Sequence, residues 1–299
     1  MYLTWQDLLT LWMPWPQIIL ILVTLGIIYG LGWRRLRKRG STRLANGWRL
    51  AAFMTGLVAL GLAMLSAIEV LHDTLFTLHM VQHLLIMMVG APLIMLADPF
   101  PFLMWGLPKN ARETAALLLV PRSSLRRVLE RLGKPWLVWG LYVGTQWLWH
   151  MPGFYDAALR SEVLHVLEHV AFFLTALLFW WHATGAAPRI YGRLGYGFRI
   201  VYCLAAMAQN EILGIIISFT QQPLYTYYTT VPRLWGISVM EDQTLGGAIM
   251  WVPGGMMYAV AAIALLASLL EREERKTAHM IAEQLGSSEQ ATPAEQTAP

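Results

Sequence analysis

The sequence predicts an all-α fold: a polytopic membrane helix bundle with seven transmembrane helices, N-terminus outside and C-terminus cytoplasmic. Three observations predict it. The 299 residues are 57% hydrophobic and only 13% charged, where a soluble domain carries about 25% charge. Seven apolar runs, near 16–33, 48–71, 76–96, 135–150, 162–182, 198–219 and 244–270, are long enough to cross a bilayer. All but Arg160 and Arg233 of the 22 Lys and Arg then fall on one side of the membrane, the side that the positive-inside rule makes cytoplasmic.

The elements follow in chain order. The opening MYLTWQDLLTLWMPWP has no basic residue before the first apolar run and no small-residue cleavage site, so it does not read as a removable signal peptide. Trp5, Trp12 and Trp15 read as an aromatic belt at a membrane surface. The first loop, RRLRKRGSTR, is strongly basic, and so is 109–134, which is too charged to span and reads as short surface helices. The fourth run is the shortest. The loop after the fifth run adds Arg189, Arg193 and Arg199, and the flank of the last run adds Arg272, Arg275 and Lys276. Residues 1–270 therefore form a single membrane domain. Residues 271–299 form a cytoplasmic tail, small, polar and disordered from about 285. The net charge of +4 is a topology signal under this layout rather than a nucleic-acid site. The lone cysteine, Cys203, excludes an intrachain disulfide and any paired-thiolate metal site.

The eight histidines are unevenly placed. His72, His79, His83, His150, His165 and His169 gather at the outer side, while His182 lies at the inner end of the fifth run and His279 in the tail. Residues four apart share a helix face, so His79 and His83 form one pair and His165 and His169 another, with Glu168 bordering the second. At a rise of about 1.5 Å per residue, His83 and His169 each lie roughly 10 Å below the outer helix end, and Glu211 at roughly 12 Å, with Met207 one turn deeper. Ionisable groups at such depth are costly in hydrocarbon, and pairing, hydration or a bound metal sustains them. Taken singly, His72, His150 and His182 fit helix–helix hydrogen bonding, and the methionines fit packing. Two pairs at matched depth predict a metal site of His79, His83, His165, Glu168 and His169, with His72, His150 and Glu211 as secondary candidates. Imidazole with thioethers nearby favours copper. Zinc comes second, and haem, clamped by facing histidines, remains open.

Two other chemistries fit the same residues. HVLEH at 165–169 matches the H-x-x-E-H pattern of zinc proteases, in which the glutamate is the general base. A metal transporter would need polar groups continuing inward, and below His83 the third run offers only Met87 and Met88 before Pro92. The aromatic segments MPGFYDAAL and QQPLYTYYTTVPRLWGISVMEDQ fit a lid or docking surface and an interfacial belt equally. Asp156, Glu241 and Asp242 fit either cation attraction or solvated loops.

Four blocks carry a family likeness: LHMVQHLLIMMVGAPLIML (78–96), WHMPGFYDAAL (149–159), LHVLEHVAFFLTALLFWW (164–181) and EDQTLGGAIMWVPGG (241–255). In their order and spacing the chain resembles the multi-span CtaG family of bacterial cytochrome c oxidase assembly factors. A single-span assembly factor shares that family name but uses a thiolate copper site, which one cysteine cannot build. The resemblance implies a non-enzymatic protein of the bacterial inner membrane that helps mature a haem–copper oxidase at the copper-loading stage, with an oxidase subunit and the lipid bilayer as partners and no nucleic acid. It places that role on His79, His83, His165, Glu168 and His169.

Overall fold

The computed structural model describes residues 10–118, 120, 123–188, 190–192 and 194–290. Among them the ordered elements are helical, with no strand. Helix α1 is Pro16–Lys38, α2 Gly47–Leu65, α3 Ala67–Leu71 and α4 Phe76–Leu84. A π-helical segment, Leu85–Gly90, leads into α5, Ala91–Leu96, and α6, Pro99–Gly106. Then come α7 Lys109–Leu118, α8 Ser124–Leu132, α9 Pro135–His150, α10 Pro152–Arg160, α11 Glu162–Thr184, α12 Tyr196–Phe219 and α13 Val239–Gln290.

Six stretches are long and apolar enough to cross a membrane: Pro16–Lys38, Gly47–Leu71, Phe76–Leu96, Glu162–Thr184, Tyr196–Phe219 and Val239–Gln284. The fourth expected run forms α9, which has 16 residues. That is about 24 Å of helix, short of a bilayer core of about 30 Å. It ends where it does because Met151 precedes Pro152 and is forced to extended backbone (φ −67°, ψ 132°). Still, α9 packs inside the bundle against α11 and α12. The charged stretch after Pro108 forms the two short helices α7 and α8, as its composition predicts. Helix α13 continues to Gln290, beyond residue 285 where a disordered tail was expected to begin. Residues 291–299, Trp5, Arg189 and Arg193 lie outside the described residues.

The exterior is apolar. Leu20, Ile27, Val58, Val163, Val201 and Phe219 are all exposed, a distribution that suits lipid and identifies a multi-pass membrane protein. Phe76–Leu96 is the central span: 61% of its apolar window is buried, against 11% for Pro16–Lys38 at the periphery. Basic side chains close one end of the bundle. Arg35 donates to the carbonyls of Trp105, Gly106 and Leu107, Arg49 pairs with Asp98 at 3.2 Å, and Arg199 donates to the Ala183 carbonyl. His182, at that same end, donates from Nε2 to the Gly133 carbonyl at 2.8 Å and ties two helices together.

Three local features position the central span. Ser66 breaks the second run (φ −94°, ψ −174°) and caps α3 by accepting from the Ile68 amide, which turns His72 back toward the bundle. The π segment precedes Pro92, whose ring would collide with the carbonyl one turn back in a regular helix. In an i→i+5 pattern the Met87 carbonyl would look to residue 92, which has no N–H. Trp180 Nε1 donates to it instead, at 2.9 Å.

Finally, Asp242 on α13 caps the start of α4, accepting from the amides of Phe76 and Thr77 at 2.9 Å each while paired with Arg233 at 2.9 Å. It is 1% exposed, so it is neither a solvated loop residue nor an open cation lure. At Gly246, one turn further along α13, any Cβ would overlap the Phe76 ring. Asp242→Ala leaves two buried amides and Arg233 without their acceptor, and should cost about 1–3 kcal/mol, read as a lower melting temperature in detergent. Arg233→Ala, which spares the amides, should cost less.

Candidate metal centre

Helical spacing places His79 and His83 on one face of α4, and His165 and His169 with Glu168 on one face of α11. Both faces turn inward. All five side chains are at least 93% buried, and Glu168 and His79 are completely so. The imidazole centroids of His79 and His83 are 4.3 Å apart and those of His165 and His169 4.1 Å. Across the two helices, His79 lies 5.2 Å from His165, and His83 lies 5.5 Å from His169. The depth matching read from the sequence thus corresponds to rings that face one another.

Glu168 reaches between the facing rings. Its Oε2 is 3.7 Å from His79 Nε2 and its Oε1 3.7 Å from His83 Nε2. Those separations are too long for hydrogen bonds. Two donors that share one tetrahedral ion at about 2.1 Å sit roughly 3.4 Å apart. Two overlapping trios, His79–His83–His169 and His79–His165–Glu168, each bring their donor atoms within 4.8 Å of one another. The Nε2 atoms of His79, His83, His165 and His169 and both Glu168 oxygens are buried with no hydrogen-bond partner. A dry interior normally satisfies such groups. Here they are left without partners and grouped in the two overlapping trios.

Of the other ring nitrogens, His83 Nδ1 is buried without a partner and that of His79 is held. His79 Nδ1 lies 2.6 Å from the Tyr155 hydroxyl and 3.4 Å from that of Tyr228. Tyr228 also donates to the His72 carbonyl, and Tyr225 to the His150 carbonyl. With Phe76 these buried tyrosines form a lid across the cluster, built from the two aromatic segments that also fitted an interfacial belt. Asp156 anchors the lid by accepting from Thr226 Oγ1 at 2.5 Å.

The secondary candidates divide. His72 stacks on His165 at 4.1 Å, and its Nδ1 donates to the Glu69 carbonyl at 2.5 Å. Burial pushes this imidazole below its ordinary value, and the neutral ring keeps a lone pair at Nε2. His150 donates from Nδ1 to the Gln146 carbonyl at 2.7 Å and lies 6.0 Å from His83. Glu211 is half-buried beside Gly255 and belongs to neither trio. Met207 packs against the core. On α12 it is Asn210 that turns inward, donating to the Met250 carbonyl at 2.9 Å.

Sequence reasoning passed over Tyr155, Tyr228, Gln82 and Glu69. Gln82 sits one residue before His83 and donates to Glu69 at 2.5 Å and to the Ala63 carbonyl at 2.9 Å, fixing α4 against α2 and α3. Tyr155, Gln82 and Tyr228 lie in segments that already stood out, whereas Glu69 carried no signal. Groups that orient a ligand imidazole typically contribute 10–100-fold to metal affinity. Tyr155→Phe should therefore weaken metal binding by about that factor, read by chelator competition, with little change in stoichiometry.

An apolar cavity of about 560 Å³ leads to the cluster from the side. Its walls include Leu22 of α1, Leu57 and Leu60 of α2, and Phe173 of α11, and it reaches His165 and His169.

Uncharacterised proteins of Mycobacterium bovis and Mycobacterium tuberculosis are each 27% identical over 264 residues, covering 85% of this chain and 38% of theirs. One from Mycobacterium leprae is 27% identical over 261 residues with the same coverage. The chain thus spans 38% of the length of these relatives. No solved structure matches it. Residues 27–272, which contain the whole His–Glu cluster and its lid, match the family described as cytochrome c oxidase caa3 assembly factor, and the chain belongs to that family.

Proposed function

We propose that this protein is an assembly factor that holds copper at the His–Glu cluster and passes it to a subunit of a haem–copper cytochrome c oxidase. The observation that carries the reading is the set of buried, unpartnered donors on α4 and α11, which group in two overlapping trios with donor atoms within 4.8 Å. Family membership supplies the client class. Copper is preferred over zinc because thioethers adjoin the imidazoles on the same helix: Met80, Met87 and Met88 are all buried. Haem ranks last.

In this reading α9 completes a seven-span layout in the bacterial inner membrane. The basic end of the bundle faces the cytoplasm, and the cluster lies in the outer half, where copper arrives. The membrane domain runs to about residue 270, and the remainder of α13 begins the cytoplasmic tail. His79, His83, His165 and His169 bind the ion as neutral imidazoles. Glu168 offsets its charge in a medium that excludes water. Release is ligand exchange: a client's side chains replace the imidazoles one at a time, so no bond to the ion breaks before another forms. The tyrosine lid keeps solvent from competing.

The test is complementation. In a strain lacking the gene, the wild-type protein should restore oxidase activity and the oxidase copper signal. His79→Ala/His83→Ala should restore neither, at equal abundance in the membrane. Full oxidase activity with the double variant would refute the reading.

A further inference from the structure

A second cavity lies against His83, on the side lined by the thioethers that favour copper. It measures about 30 Å³, and its wall includes Met80, His83, Met87, Met88, His150 and Met250. Residues 80, 83 and 87 recur at helical spacing and share a face of the central span. Met250 comes from α13 and His150 from the end of α9, so three helices converge on the space.

Methionine fills gaps in many cores, and four thioethers alone would say no more than that. The imidazoles add the second observation. His150 is 6% exposed, its Nδ1 donates to the Gln146 carbonyl, and its Nε2 has no partner. His83 is 5% exposed, and both of its ring nitrogens are unpartnered. Its Nε2 lies 3.7 Å from Glu168, within the outer cluster, which leaves Nδ1 as a donor no other group claims. Buried lone pairs without a donor are costly, and these two rings border the same small space.

We infer that this cavity is a second metal site, specific for a soft monovalent cation such as Cu(I), and that His83 is shared between it and the His–Glu cluster. Size and charge both select that ion. A water needs about 10–15 Å³ of such space, so 30 Å³ admits one ion without a hydration shell. Thioether and imidazole ligands are neutral and favour Cu(I) over harder divalent ions. A monovalent ion can occupy a site without a carboxylate, and this cavity has none, whereas the outer cluster with Glu168 can hold Cu(I) or a divalent ion. Copper enters this site already as Cu(I), so no electron transfer is required. The inference rests on the metal reading of the outer cluster only through the shared His83.

Purified full-length protein in detergent would be titrated anaerobically with Cu(I) against a chromophoric chelator. In parallel, protein carrying ¹³C-methyl methionine would be titrated with Ag(I) as a redox-inert stand-in. The wild type should bind two equivalents of Cu(I), and Ag(I) should shift the methyl signals of Met80, Met87, Met88 and Met250. Met87→Leu/Met250→Leu, which nearly conserves volume, should bind one. His165→Ala/His169→Ala should also bind one and keep the methionine shifts. Two equivalents in the methionine variant, or methyl signals unmoved by Ag(I) in the wild type, would overturn the second site and leave the outer one standing. The cavity would then be a packing void or hold a water bonded to Asn210 or Gln146. A wild type that binds only one equivalent while showing the methionine shifts would instead refute the outer reading alone.

Discussion

Purified wild-type protein should carry copper, and His165→Ala/His169→Ala should lose the ion at the outer centre while the bundle stays folded. Each trio of converging donors draws on both α4 and α11, so removing one pair leaves at most two imidazoles and a carboxylate. Neither trio is then complete, and the remaining two imidazoles and carboxylate hold an ion more weakly than the full cluster. Occupancy of the outer centre, by metal analysis after dialysis against a weak chelator, should fall from about one equivalent to near zero. The apo fold should tolerate the change because neither ring donates from Nε2 to a structural acceptor. His182→Ala is the control: its Nε2 holds the Gly133 carbonyl at the opposite end of the bundle, so stability should fall and metal content should not. Equal metal in wild type and both double-histidine variants would end the assignment.

Glu168→Gln should separate a metal-holding role from a hydrolytic one. In a zinc hydrolase with the H-x-x-E-H pattern, the glutamate is the general base, and its loss abolishes turnover while metal stays bound. In this structure Glu168 lies between His79 and His83, 3.7 Å from each, and has no exposed surface. That is the position of a ligand or counter-charge. The amide should therefore reduce metal affinity itself. It should also reverse the usual order of stabilities. An acidic residue at a helix centre costs about 2.5–3.5 kcal/mol in insertion, so metal-free Glu168→Gln should melt higher than the metal-free wild type. Saturating metal stabilises a protein by about 2.7 kcal/mol at a hundred times Kd, and that gain should appear in the wild type and shrink in the variant. Unchanged metal affinity with loss of a peptidase activity would favour the hydrolase.

Much of this protein was legible before any coordinates. The low charge, the apolar runs and the i, i+4 histidine pairs are local properties of the chain, and local geometry turns them directly into helices, faces and depths. The pairs His79/His83 and His165/His169 could be placed at one level because the rise per residue is constant. The break at Pro152 was also written locally: the run 135–150, the shortest of the seven, has the bounds of α9, and its 16 residues leave it outside the six stretches long enough to cross a membrane.

Rotation of one helix about its axis against another depends on all its neighbours at once, and no single segment encodes it. That is why Glu211, at the right depth, sits beside Gly255 while Asn210 faces inward. It is also why Asp242, which read as a loop acid, caps a helix 166 residues away. The sequence by itself determined the helices, their apolar exterior and the depth of each imidazole pair, because those follow from composition and period. Only the tertiary structure decided that the pairs face each other around Glu168, that three tyrosines close over them, and that four thioethers meet two imidazoles below. Those contacts join residues from distant helices, and packing of the whole bundle sets them.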